Sequence, residues 1–119
     1  EEAFKHAALA VINVVVDGKT VQKKQTKSIS VKGKDLKALL YNFLEELLFV
    51  IDAEQFIPKE ASALKINHMN DQYWLTGTIE GEHADDRHDF KTPIKAITYN
   101  DMIIREDKDR VMIQCVVDI

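Results

Sequence analysis

The sequence predicts an α+β domain with two helices packed on one face of a mainly antiparallel β-sheet. Three observations carry that reading. Two segments space their apolar residues as helices do, the later segments are rich in β-branched residues between polar turns, and no linker, repeat or low-complexity tract divides them. The 119 residues fit one domain spanning 1–119, since domains usually hold about 100 to 150 residues around a single core.

The chain opens on "EEAFKHAALAVINVVVDGK", where Phe4, Ala7, Ala8, Val11 and Val15 recur at the period of a helix with one buried face. Asp17-Gly18 then breaks the pattern. Helix starts normally follow a capping residue, so an opening without cap or strand leads us to expect that something precedes Glu1. In "TKSISVKG", Ile29 and Val31 alternate with Ser28, Ser30 and Lys32, a strand with one polar face that Gly33 ends.

A second helix is expected from Asp35 as N-cap through "LKALLYNFLEELLFVID". Leu36, Leu39, Leu40, Phe43, Leu47, Val50 and Ile51 form its stripe. Leu44 and Leu48 widen it, which predicts packing against two surfaces. Pro58 marks a bend after Phe56-Ile57. "ASALKIN" and "QYWLTGTIEGE" then read as a hairpin around a turn at His68 to Asp71, and "IKAITYNDMIIRE" and "RVMIQCVVDI" as another around Asp107 to Asp109.

The hydrophobic share of 45% and charged share of 30% are those of an ordinary globular protein, and no apolar run reaches the ~20 residues of a bilayer span. No membrane partner is expected. The single cysteine, Cys115, lies in an apolar run and reads as a buried inert thiol; with no internal disulfide possible, the expected compartment is the cytoplasm, with the nucleus as alternative. A net charge of −4 argues against gripping nucleic acid unaided, because nonspecific phosphate affinity comes from clustered Lys and Arg. An acidic partner for a basic protein fits better.

Three polar patches could carry chemistry. "GEHADDRHDFK" holds His83, Asp85, Asp86, His88 and Asp89, side chains that could bind a divalent cation or could line a solvated loop. At the C-terminus, Asp118 and the α-carboxylate of Ile119 could both turn toward a hard cation, unless the end merely frays. In "KTPIKAITYN", Lys91 and Lys95 could draw phosphate or carboxylate into a cleft where the Thr98 and Tyr99 hydroxyls orient it. The alternative is lysine protection of an edge strand, which Pro93 supports. Walker loops, nucleophile elbows, Cys-x-x-Cys pairs and H-E-x-x-H helices are absent from the sequence, which contains four glycines in all. A self-contained enzyme is not expected.

"LLYNFLEELLFVIDAEQFIP", then "RHDFKTPIKAITYNDMII" and a closing "VVDI", resemble the archease family, small activators of the RtcB-type 3′-phosphate RNA-splicing ligase. The resemblance runs from Glu1 to Ile119, and "KAITY" with the terminal Asp-Ile is its most specific part. It implies an archease-like fold and a noncatalytic protein cofactor in tRNA splicing, one that promotes guanylylation of the ligase by GTP and multiple turnover. The partner is the ligase, and tRNA is touched only indirectly. By resemblance, Asp118 and Ile119 hold a divalent metal ion (calcium, magnesium or manganese), Lys95 is the lysine needed for activation, and His88, Thr98 and Tyr99 belong to the same region. The family's His-Thr-Ala-Asp strand, whose aspartate joins the metal set, would precede Glu1. Asn100 replaces a histidine common after Thr-Tyr. The competing reading is a metal-dependent hydrolase or nucleotide-processing enzyme using the His83–Asp89 loop; a third is an assembly module that needs no metal.

Overall fold

The computed structural model describes residues 2–16, 22–83, 96–106 and 110–118. Along the chain these form α1 (Glu2–Val15), β1 (Gln25–Gly33), α2 (Leu36–Asp52), β2 (Phe56–Met69), β3 (Gln72–His83), β4 (Ala96–Glu106) and β5 (Val111–Asp118).

Asp35 starts the central helix. Its side chain accepts a hydrogen bond from the Ala38 amide at 2.7 Å, satisfying one of the donors that every helix start leaves open. From there α2 buries Leu39, Leu40, Phe43, Leu44, Leu47, Leu48, Val50 and Ile51. An apolar arc that wide has to be covered from more than one side. It is: α2 packs against β1, β2 and β3, against β4, and against α1. Asn42 also donates to the Lys32 carbonyl at 2.7 Å, pinning the helix to β1.

The expected face of α1 is the buried one, with Phe4, Ala7, Ala8, Val11 and Val15 joined by Ile12. Small residues at Ala7 and Ala8 let this helix lie close to its neighbours, and it packs on β2 and β5 as well as on α2.

All described strand pairs are antiparallel, and they form two sheets. One is three-stranded in the order β1-β3-β2; the other is the β4-β5 hairpin. Leu75 and Ile79 of the central strand β3 are fully buried, and Ile29 and Ala61 flank them from the edge strands. The opposite face is polar. There Ser62 Oγ lies 2.9 Å from Thr78 Oγ1 and donates to Glu80 at 2.8 Å, while Lys23 bridges toward Glu60 at 2.5 Å and Glu80 at 3.9 Å.

Two local expectations change. Pro58 lies inside β2 rather than at a bend before it, because β2 is an edge strand whose register shifts between Pro58 and Glu60, the setting in which a strand tolerates a residue with no N–H to give. His68 belongs to the end of β2, not to the turn, and its ring stacks on Tyr73 with centroids 4.2 Å apart. The turn itself is Asn70-Asp71, both at positive φ (54° and 61°) between the paired Met69 and Gln72. A two-residue hairpin of the primed type needs that left-handed backbone, and Asn and Asp adopt it readily. The expected turn at Asp107 to Asp109 and the break at Asp17-Gly18 lie outside the described residues.

Candidate functional site

The β4–β5 hairpin carries the region the sequence singled out. Its ladder pairs Ala96 with Asp118, Ile97 with Val117 and Thr98 with Val116, then resumes at Ile103 with Gln114. Residues 99–102 of β4 therefore stand against Cys115 alone. A bulge of this kind bends the strand and re-aims its side chains, and bulges concentrate beside functional sites. Thr98 is the last paired residue before it, and Tyr99 and Asn100 lie within it. Ile97 and Met102, both almost fully buried, hold the two ends of the bulge onto the core, and β4 packs on α2.

Asp118 is placed here by backbone register, and Tyr99 lies in the unpaired stretch of β4. The register sets Asp118 across from Ala96, the residue that follows Lys95. Thr98 is half-buried one pair further along. The C-terminal strand is thus tied into a ladder as far as Asp118, as expected from its apolar sequence. Lys91, Lys95, His88 and Ile119 lie outside the described residues, as do Asp85, Asp86 and Asp89. His83 is exposed at the end of β3, paired with Phe56. Among the described residues, no three His, Cys, Asp or Glu side chains come together as a metal-binding group, and no helix is long and apolar enough to cross a membrane.

Cys115 is half-buried and packed against the core, and burial pushes its thiol above the ordinary range. Such a thiol is a poor nucleophile, because the thiolate is the reactive form.

Sequence reasoning missed two features. Glu82 of β3 is buried at 3% exposure, with its Oε2 3.9 Å from the Lys24 ammonium; neither residue stands out in a polar stretch. The second is an exposed apolar stripe on the hairpin. Met112 and Val116 alternate with Ile113, Cys115 and Val117, so both faces of β5 are apolar. Alternation could not reveal which face is covered.

Comparison with known proteins gives a consistent result over the whole length. The Archease protein family (MTH1598/TM1083) matches residues 1–119. Protein archease of Pyrococcus furiosus is 43% identical and that of Pyrococcus abyssi 42%, each over 121 residues covering 100% of this chain and 84% of the relative. Among solved structures, the solution structure of Methanobacterium thermoautotrophicum protein 1598 superimposes with a TM-score of 0.76 at 30% identity, covering 98% of this chain and 84% of that one.

Proposed function

The chain belongs to the archease family, and from that premise we propose that it is a noncatalytic cofactor of an RtcB-type 3′-phosphate RNA-splicing ligase in tRNA splicing. It promotes guanylylation of the ligase by GTP and sustains multiple turnover. The observation that carries this reading is the register that sets Asp118 across from Ala96, next in sequence to Lys95. The last strand, which ends in Asp118, and the start of β4, which Lys95 precedes in sequence, lie at one end of one hairpin.

The donor set at the tail fits a hard divalent cation such as calcium, magnesium or manganese, since Asp118 and the carboxylate of Ile119 offer oxygen atoms alone. Such a cation would supply positive charge beside a nucleotide phosphate. Lys95 gives an ammonium for a phosphate or a ligase carboxylate. Thr98 and Tyr99 provide hydroxyls that can donate and accept, so they orient an anion held by the lysine. His88 stands earlier on the approach to this strand. The net charge of −4 favours encounter with the basic cleft an RNA ligase must present, an effect felt mainly in the association rate. The cytoplasm or nucleus is the compartment of action.

The test is a ligation assay with GTP, divalent metal and RNA bearing a 3′-phosphate, run with ligase alone, with both proteins, and with this protein alone. Repeated turnover should require both proteins. Product from this protein alone would replace the reading with an enzyme.

A further inference from the structure

The outer face of the three-stranded sheet is unevenly charged. Ladder partners project to one side and alternate residues share it; Ile29, Leu75 and Ile79 turn to the core, so the residues between them form rows on the outer face. The first row sets Trp74 between Lys32 and Asn67, the second Thr76 between Ser30 and Lys65, and the third Thr78 between Ser28 and Ser62. None of these residues carries a carboxylate. Acidic groups begin in the fourth row, where Glu80 pairs with Glu60 and Lys23 bridges toward both. The net charge of −4 thus leaves the Trp74 end of the face cationic. Lys32, Lys65 and Asn67 are exposed there and Trp74 is half-buried. The Lys32 ammonium lies 5.5 Å from the centroid of the Trp74 ring, and Lys65 stands diagonal to Trp74, about 7–8 Å away across the ladder and within reach of a long side chain.

Lys65 comes to this face only through a bulge. It is three residues from Ser62, a separation that puts two side chains of a regular strand on opposite faces. The register shift between them, with Ala63 at φ 53°, adds one residue and returns Lys65 to the outer side. Left-handed backbone is unfavourable for alanine, and strain of that kind gathers at binding and catalytic sites.

We infer that this end of the outer face is a platform for single-stranded RNA, with a base stacked on Trp74 and the adjoining phosphates held by Lys32 and Lys65. An aromatic ring beside cationic side chains is how sequence-tolerant single-strand sites are built, because every base offers a flat π face. The Lys32 ammonium rides on a flexible stem, so it can leave the ring for a phosphate when a base takes its place. Asn67, Ser30 and Thr76 set donors and acceptors around the ring, suited to base edges and to the 2′-hydroxyl that separates RNA from DNA. A protein partner fits less well, since interface cores are depleted in lysine and serine. Two lysines hold phosphate weakly, so the platform guides a strand rather than gripping it, in keeping with the net charge. The inference goes beyond the function proposed above and is read without ligase or GTP, so either can fail alone.

Trp74 is the only tryptophan of the chain, so its emission reports on the site itself. The experiment titrates the protein at low salt with a short single-stranded RNA of mixed sequence, following tryptophan emission and the anisotropy of a labelled copy of the same RNA. Emission should be quenched saturably, and binding should weaken as salt rises. Trp74→Ala should bind about fivefold more weakly or worse, the loss of one stacked base. Lys32→Ala/Lys65→Ala should weaken binding by a similar factor and reduce its dependence on salt. Arg105→Glu, at an exposed position on β4, changes the net charge by the same two units as the lysine pair and should stay within about twofold of wild type. The same sequence as DNA should bind more weakly. No quenching of wild type, a smaller loss in the folded variants, or an equal loss in Arg105→Glu overturns the inference while leaving the proposed function intact. Equal affinity for DNA overturns the assignment to RNA. Loss of ligase stimulation in Trp74→Ala, with no RNA binding by wild type, also overturns it, because the face would then meet protein. Should Trp74→Ala lose its native circular dichroism, the quenching of wild type and the lysine pair decide the matter.

Discussion

The rings of Phe4 and Phe43 stack with centroids 6.1 Å apart and planes inclined by 26°, joining α1 to α2 at the centre of the core. Both rings are almost completely buried. Phe43→Ala should therefore lower unfolding stability by ~3–5 kcal/mol, the usual effect of truncating a buried aromatic. Urea denaturation followed by circular dichroism measures it, and an unchanged midpoint would remove Phe43 from the core.

Asp35 acts at the other end of the scale. Asp35→Ala leaves the Ala38 amide without its side-chain acceptor and should destabilise by about 1 kcal/mol, whereas Asp35→Ser should retain most of that. The same denaturation experiment distinguishes them, and equal midpoints for both variants would mean the cap is not used.

The Lys23–Glu60 pair gives a pH-dependent test. A hydrogen bond from Lys23 holds the Glu60 carboxyl below its ordinary range, and the same bond raises Lys23 above its own. The lowered carboxyl contributes stability above its unfolded pKa and loses it as pH falls through the folded value; the raised amine contributes below its unfolded pKa and loses it as pH rises through the folded value. Glu60 and Glu80 stand directly opposite in the ladder, so removing the lysine also leaves two like charges facing each other. Lys23→Met should lower the melting temperature slightly at neutral pH, and the difference should vanish as Glu60 protonates in acid. A difference that persists at pH 2 to 3 would mean the lysine acts through packing.

Cys115 should react slowly with a thiol reagent at neutral pH in the folded protein, because burial raises its pKa, and rapidly once urea exposes it. Equal rates in both states would place the thiol in solvent.

The parts of this fold that the sequence reveals are those set by local periodicity. For α2, the cap at Asp35, the wide stripe and the end at Asp52 all follow from residues near in sequence. Strand positions were legible as well, since the segment around Ile29 and the run through Cys115 are apolar between polar turns. Pairing was not. The split into two sheets, and the bulge that sets residues 99–102 against Cys115, depend on partners far apart along the chain, and a bulge leaves no trace in alternation. Ala63 of β2, at φ 53° where the register shifts between Ser62 and Lys65, shows the same limit. The candidate residues Thr98, Tyr99 and Asp118 could be picked out by type, whereas the register that sets Asp118 across from Ala96 could not. The exposed stripe was hidden because β5 is apolar on both faces.

Stimulated ligase turnover with folded Asp118→Ala and Lys95→Ala variants tests the central claim most directly. The account predicts that each variant loses most of the stimulation at saturating protein, while keeping the circular dichroism spectrum and melting temperature of wild type. Full stimulation by both would show that the Asp118 carboxylate and the Lys95 ammonium take no part, and would contradict it.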